Sequence, residues 1–216
     1  ASWNEALDMV ASRFSATIAE HGPDSVAFYV SGQLLTEDYY VINKLAKGFV
    51  GTANIDTNSR LCMASSVAGH KRAFGSDTVP GCYEDLEQAD LIVLVGSNAA
   101  WCHPVLFQRM MAAKEKNPDI RVVVIDPRRT QTCEGADLHL PLRSGSDAVL
   151  FNGLLSYLNS VGQRDQAFVA EHTSGIDAAL AATGIFDIAQ IARTCGLPEG
   201  SVQLFFNWFG KARKVV

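Results

Sequence analysis

Apolar runs and stretches of helical spacing alternate along the first three quarters of the chain. Short runs rich in β-branched and aliphatic residues predict strands at positions 25–30, 91–95, 122–125 and 138–140. Between them apolar residues recur every three or four positions, as in Trp3, Leu7 and Val10, which predicts helices. Because strands separated by helices favour right-handed crossovers, we predict an α/β fold: a Rossmann-like parallel sheet flanked by helices in three layers.

The chain from about Gly162 onward shows only helical patterns. Its last helix is crowded with the aromatic side chains Phe205, Phe206, Trp208 and Phe209. We interpret them as core-facing, because aromatic side chains are usually buried; the alternative is contact with protein outside this chain. The predicted organisation is a leading helix over 1–22, a Rossmann-like core over 23–160 and a helical extension over 161–216.

Composition narrows the classes of partner. The chain has 216 residues, 23 acidic against 18 basic side chains and a net charge of −5, which argues against nucleic acid or an anionic membrane surface. No apolar run is long enough to span a bilayer, so we expect no membrane segment. The five cysteines form no Cys-x-x-Cys pair, so they indicate reduced thiols rather than a zinc ribbon or an iron–sulfur motif.

Polar, glycine-containing loops follow several predicted strands and are the first candidates for ligand contact. We expect them to leave one edge of the sheet, where open α/β sheets bind ligands: Gly32-Gln33, 96–104, 126–130 and 145–147. Glycine allows close backbone approach and helix starts favour phosphate, while Asp126 could accept hydrogen bonds from a ribose or purine. The alternative is a Rossmann-like scaffold without a nucleotide. A Gly-x-Gly-x-x-Gly pattern is missing after the first strand, which disfavours an ordinary NAD site.

Cys62 is the strongest candidate for a reactive or metal-binding side chain. It follows a polar loop and is predicted to lie at a helix start, where the helix dipole and Arg60 would lower the pKa of its thiol. A thiolate is a soft ligand that suits a transition metal. The alternative is that Cys62 is a small buried apolar residue.

These residues together resemble the molybdopterin oxidoreductases, which bind molybdenum through two molybdopterin guanine dinucleotides. The resemblance rests on motifs in a fixed order: Asn58-Ser59-Arg60-Leu61-Cys62-Met63, Gly96-Ser97-Asn98, His103-Pro104, Ile125-Asp126-Pro127-Arg128 and Ala136-Asp137. Within that family, residues 83–87 and 100–104 are similar to the bacterial assimilatory nitrate reductases. Formate dehydrogenases of the family usually carry histidine after the metal ligand, where this chain has Met63.

The resemblance implies a role for each motif. Cys62 would bind molybdenum, Met63 would lie near the substrate, and Gln33 and Asn58 would contact the pterin. One dinucleotide, with its phosphates and guanosine, would be held by residues from three loops: Gly96, Ser97, Asn98, His103, Asp126, Pro127, Arg128, Thr130, Gly145, Ser146 and Asp147.

The implied activity is reduction of nitrate to nitrite by oxygen-atom transfer in the cytoplasm, as part of nitrate assimilation. Family members carry a [4Fe-4S] domain before this region and a long segment after it, so we expect an internal fragment of a larger parent enzyme, inactive when isolated. The parent would need an electron donor protein or domain. Alternatives are another enzyme of the family, such as a formate dehydrogenase or a different oxyanion reductase, and a metal-free structural module of the same fold.

Overall fold

The computed structural model describes residues 1–58, 62–184 and 187–216, and the chain forms two compact units, residues 1–79 and 80–216. The predicted α/β class is confirmed. The two units divide at a different place from the segments predicted over 1–22, 23–160 and 161–216, which concern the organisation of the parent and stay a prediction. Within the described ranges, no helix has the length and apolar character that a membrane crossing requires.

Helices and a short parallel sheet build the first unit. Its elements in chain order are α1 (Trp3–His21), β1 (Phe28–Val30), α2 (Thr36–Asn43), β2 (Ile55–Thr57) and α3 (Ala64–Phe74). A capping box starts α1: the Glu5 carboxylate accepts from the Ser2 N–H at 2.7 Å and the Ser2 hydroxyl accepts from the Glu5 N–H at 3.3 Å. The helix ends before Gly22, whose φ of 83° requires a residue without a side chain.

Two elements of the first unit differ from the prediction. The strand expected over 25–30 is shortened to β1 because Pro23–Ser25 forms a 3-10 turn, which the fixed φ of proline favours. The sequence also predicts a helix from Thr36 towards Gly48. It is α-helical only to Asn43 and continues as a π-helical segment over Lys44–Val50. Strands β1 and β2 are parallel, with Val30 opposite Thr57, so both end at one edge.

The second unit alternates strands and helices and then becomes helical. Its strands are β3 (Leu91–Val95), β4 (Arg121–Ile125) and β5 (Leu138–Leu140). Its helices are α4 (Asp85–Gln88), α5 (Ala99–Cys102), α6 (Pro104–Lys116), α7 (Asp147–Ser160), α8 (Gln166–His172), α9 (Ile176–Thr183), α10 (Ile188–Cys195) and α11 (Glu199–Lys211). A 3-10 turn covers Gln131–Gly135.

The described strands of this unit form one parallel sheet in the order β3-β4-β5, with helices on both faces. Alternate residues of β4 point to opposite faces. Val123 and Ile125 pack in a cluster with residues of α7, α10 and α11, whereas Val122 packs with Met110 of α6 and with Ile120. The predicted three-layer arrangement is therefore confirmed in this unit.

The aromatic residues of α11 form much of the larger core. Phe205 and Phe206 are fully buried, with ring centroids 5.9 Å apart, and Phe209 packs edge-on to Phe205 at 6.1 Å. Trp208 is partly buried against the same cluster. The interpretation of this helix as core-facing is confirmed.

Asp137 ties α6 to β4 through its carboxylate. It accepts from the Lys114 ammonium at 2.6 Å, the Val122 N–H at 2.7 Å and the Arg121 guanidinium at 3.4 Å. Partial burial alone would raise the pKa of Asp137, but the hydrogen bonds from Lys114 and Val122 and the two positive charges outweigh it. The pKa of Asp137 is therefore lowered in the folded chain.

We expect Asp137→Asn to destabilise the chain by about 1–3 kcal/mol at neutral pH, because a charged partner of several donors is lost. A carboxylate whose pKa is lower in the folded than in the unfolded state stabilises the fold at pH values above its unfolded pKa. This contribution is lost as the pH falls through the folded pKa. The difference from wild type should therefore shrink below about pH 4. Urea unfolding at several pH values measures it, with Asp119→Asn at an exposed position as the control. A difference independent of pH would contradict the ion-pair assignment.

Candidate cofactor-binding site

The sheet of the second unit brings three of the predicted loops to one edge. Val95, Ile125 and Leu140 end their strands and are register partners across the sheet. The segments that follow them therefore begin side by side, at the carboxyl ends of parallel strands. This is the edge where open α/β sheets bind ligands. The loop after Gly32 belongs to the first unit and follows a separate sheet.

The first of these loops, residues 96–104, leaves open space for a ligand. Gly96 has a φ of 58°, and no atom lies within 4 Å of the position that a Cβ would occupy there. Ser97 and Asn98 are half-buried. His103 is exposed and forms the N-terminal cap position of α6, ahead of Pro104. The backbone at Gly96 can thus approach a bulky group closely.

The second loop is fixed around Asp126. This residue is only 8% exposed, and its Oδ1 accepts from the Arg128 N–H at 2.7 Å. Its main-chain oxygen bonds Nε2 of His139 at 2.9 Å. In the part of the chain that the structure describes, Oδ2 of Asp126 has no donor, so it is available to a ligand. Pro127 and Arg128 are exposed, and Thr130 donates its N–H to the Arg128 carbonyl at 3.1 Å.

The third segment, 145–147, begins five residues after the end of β5 and leads into the 14-residue helix α7. Gly145 has a φ of 81° and open space around its Cα. Ser146 is buried and its hydroxyl donates to the Arg143 carbonyl at 2.6 Å, so this hydroxyl closes the turn. Asp147 is exposed at the first position of α7. Gly145 and Asp147 are therefore the accessible members of the predicted set here.

The first unit places the loop that carries Gln33 beside Asn58, where strands β1 and β2 end. Asn58 Oδ1 accepts a short hydrogen bond from the Gly32 N–H, so the Asn58 side chain holds the loop that carries Gln33. The Gln33 side chain is exposed. Tyr39 also fixes this loop: its hydroxyl donates to the Ser31 carbonyl at 2.8 Å and accepts from the Leu34 N–H at 3.2 Å.

Cys62 and Met63 are both exposed, with Met63 51% accessible. Cys62 lies two residues before α3, which agrees with its predicted place near a helix start. The alternative of a buried apolar residue is wrong, since the thiol is exposed and forms no disulfide. Arg60, together with positions 59 and 61, lies outside the described residues, so its predicted influence on Cys62 stays a prediction.

The remaining cysteines divide between surface and core. Cys82 and Cys102 are exposed, whereas Cys133 and Cys195 are buried, and all are free thiols. Burial raises the pKa of Cys195, which keeps it protonated and inert. Among the described residues, no group of three or more His, Cys, Asp or Glu side chains could hold a metal.

The loops of the second unit fit a phosphate-linked purine, and the first unit by itself offers a metal ligand. Open glycines allow close approach to a phosphate, and the exposed Arg128 could neutralise one. The free Oδ2 of Asp126 can accept from a ribose hydroxyl or a purine N–H. The exposed thiol of Cys62 is a suitable soft metal ligand.

Comparison with known proteins defines the class. Residues 1–199 match the model of the molybdopterin oxidoreductase family. The chain belongs to this family, as its motifs indicated. A solved structure, the acetylene hydratase from Pelobacter acetylenicus, shares the fold with a TM-score of 0.65 and 25% identity, over 100% of this chain and 29% of that one.

Among curated proteins the similar sequences include nitrate reductases. The nitrate reductase of Shewanella frigidimarina is 53% identical over 99% of this chain, and that of Klebsiella oxytoca is 53% identical over all of it. A periplasmic nitrate reductase from Desulfovibrio desulfuricans is 48% identical over 71% of the chain. The chain spans only about a quarter of these relatives, 23%, 24% and 20% of their lengths.

Proposed function

We propose that this chain is the cofactor-binding part of a molybdenum nitrate reductase that carries molybdenum on two molybdopterin guanine dinucleotides. The proposal of nitrate as the substrate rests on the 53% identity to two nitrate reductases over essentially the whole chain. The common edge of three loops in the second unit supports the dinucleotide, and the exposed Cys62 supports the metal.

In this proposal the first unit serves the metal end of the cofactor. Cys62 supplies the protein thiolate to molybdenum, and Gln33 and Asn58 contact the pterin, with Asn58 also holding the Gly32 loop. Met63, half-exposed beside the ligand, lies near the entering substrate. When bound, the molybdenum–pterin group supplies the two-electron chemistry that removes an oxygen atom from nitrate and leaves nitrite. The chain contributes ligand, orientation and electrostatics.

The second unit would hold the dinucleotide of one pterin. The open glycines Gly96 and Gly145 let the backbone approach its phosphates closely, and Arg128 adds positive charge. Asp126 accepts from the guanosine through its free Oδ2. The other predicted contacts come from the same loops: Ser97, Asn98, His103, Pro127, Thr130, Ser146 and Asp147.

The longer parent would complete the enzyme. Its remaining domains supply the second dinucleotide site, a [4Fe-4S] cluster and the path from an electron donor. We place the parent in the cytoplasm as an assimilatory enzyme. We propose that the isolated chain is inactive, since electron entry and half of the cofactor site lie elsewhere.

Nitrate reduction by the purified full-length parent, driven by reduced viologen, tests the substrate. We expect nitrite to form in proportion to enzyme and nitrate, with formate and other oxyanions as comparison substrates. A molybdenum-loaded parent that oxidises formate, or reduces another oxyanion, and leaves nitrate untouched would refute nitrate as the substrate. A parent purified without molybdenum would favour the metal-free structural module.

A further inference from the structure

The short helix α5, which lies within the loop after β3, has an unusual N-terminal cap. Asn98 occupies the cap position, with φ −87° and ψ 62°. An asparagine there normally accepts an N–H of the first turn with its own side-chain oxygen. In this chain it makes no such bond. The N–H of Ala100 donates instead to the hydroxyl of Thr132 at 3.1 Å.

Thr132 replaces the cap and also fixes Asn98. Its hydroxyl accepts from the Ala100 N–H and donates to Asn98 Oδ1 at 2.9 Å, so its only hydrogen is committed to Asn98. Thr132 is fully buried, on the 3-10 turn that follows β4. Its neighbour Gln131 accepts from the indole N–H of Trp101. The loop after β4 therefore holds the loop after β3 through two successive side chains.

This arrangement leaves one half of the Asn98 amide free. Its oxygen is committed to Thr132, whereas its Nδ2 has no acceptor among the residues that the structure describes. Asn98 is half-buried at the edge where the three loops begin. The Asn98 amide is fixed through its oxygen and lies near the open Gly96, so its Nδ2 can donate to an acceptor such as a phosphate or a purine oxygen.

We propose that Thr132 is a positioning residue for the cofactor: it holds Asn98 so that the Asn98 Nδ2 donates to the bound dinucleotide. Thr132 itself is buried behind Asn98 and acts only through it. The inference rests on the proposed function, because it needs a dinucleotide at this edge.

The test uses the full-length parent carrying Thr132→Val, which keeps the shape and removes the hydroxyl, and Thr132→Ser, which keeps the hydroxyl. Molybdenum and guanine nucleotide retained per chain are followed during dialysis, beside the melting temperature. We expect Thr132→Val to lose cofactor at least about 10-fold faster than wild type, as for outer-sphere partners of metal sites. Thr132→Ser should stay close to wild type.

Asn98→Ala removes the proposed donor itself, while the Thr132 hydroxyl keeps its bond from the Ala100 N–H. It should lose cofactor as fast as Thr132→Val, and the double variant should be no worse, because both act through one contact. Cofactor retention at the wild-type rate in Asn98→Ala, or additive effects in the double variant, would overturn the role of Thr132. A lowered melting temperature with unchanged retention in Thr132→Val would do the same.

The cofactor content of the wild-type parent distinguishes failure of the Thr132 role from failure of the proposed function. If it carries molybdenum and guanine nucleotide but Thr132→Val retains them normally, only the role of Thr132 fails. If the wild-type parent carries neither, the proposed function fails, and the inference fails with it.

Discussion

Cys62→Ser in the full-length parent is expected to lower viologen-driven nitrate reduction by at least about 100-fold. Loss of a residue that only supports a metal ligand costs up to about 100-fold, and loss of the ligand itself should cost at least as much. Serine offers a hard oxygen that stays protonated at neutral pH, whereas a thiolate is the softer ligand that transition metals such as molybdenum favour. The side chain is exposed in this chain, so the stability of the isolated 216 residues should change by less than about 0.5 kcal/mol. Initial rates at saturating nitrate and thermal unfolding measure the two effects.

Cys82→Ser is the matched control, because Cys82 is also an exposed free thiol. Its activity should equal that of wild type. If Cys62→Ser kept full activity, the metal-ligand role of Cys62 would be wrong. Retained molybdenum in that case would point to another ligand in the parent.

Phe205→Ala is expected to destabilise the second unit by about 3–5 kcal/mol, the usual cost of removing a large aromatic side chain from a core. Phe205 is fully buried between the sheet and the helices packed on it, and its ring contacts those of Phe206 and Phe209. Urea unfolding of the 216-residue chain, followed by circular dichroism and by tryptophan fluorescence, measures the change.

The same substitution at Phe168 provides the control, since that side chain on α8 is 56% exposed. We expect Phe168→Ala to cost less than about 1 kcal/mol. Similar losses for the two variants would contradict the assignment of Phe205 to the core of this unit.

The sheet of the second unit was the most predictable part of the fold. Its strands at 91–95 and 138–140 have the predicted bounds, and the strand predicted at 122–125 begins one residue earlier. A parallel strand covered on both faces must be apolar throughout, so its run stands out from its polar flanks. The sequence also predicts a helix from about Ala64 to Phe74, and α3 has these bounds, ending where Gly75 adopts a left-handed conformation.

The first unit was less predictable because local and longer-range preferences compete there. Nothing in the periodicity of 36–50 distinguishes an α-helix from the π-helical segment over Lys44–Val50. The turn at Pro23–Ser25 has a local cause in its proline, yet the valine and phenylalanine that follow made the whole run resemble a strand. The separation into two units at 79 and 80 had no compositional sign.

For the candidate site, sequence reasoning found the loops but missed the residues that hold them. Strand ends predict where Gly96 and Asp126 lie, because register follows from the parallel sheet. Hydrogen bonds from the hydroxyls of Tyr39 and Thr132 hold the predicted loops, and neither residue belongs to a motif that the sequence analysis identified. Thr132 lies 34 positions from Asn98, and only the folded sheet brings them together.

X-ray absorption at the molybdenum edge, comparing the wild-type parent with Cys62→Ser, tests most directly whether this chain supplies the protein ligand to the metal. Both proteins are measured in the same oxidation state, with metal content determined separately. The proposal predicts one fewer sulfur neighbour per molybdenum in Cys62→Ser. An equal number of sulfur neighbours in the two proteins would contradict it.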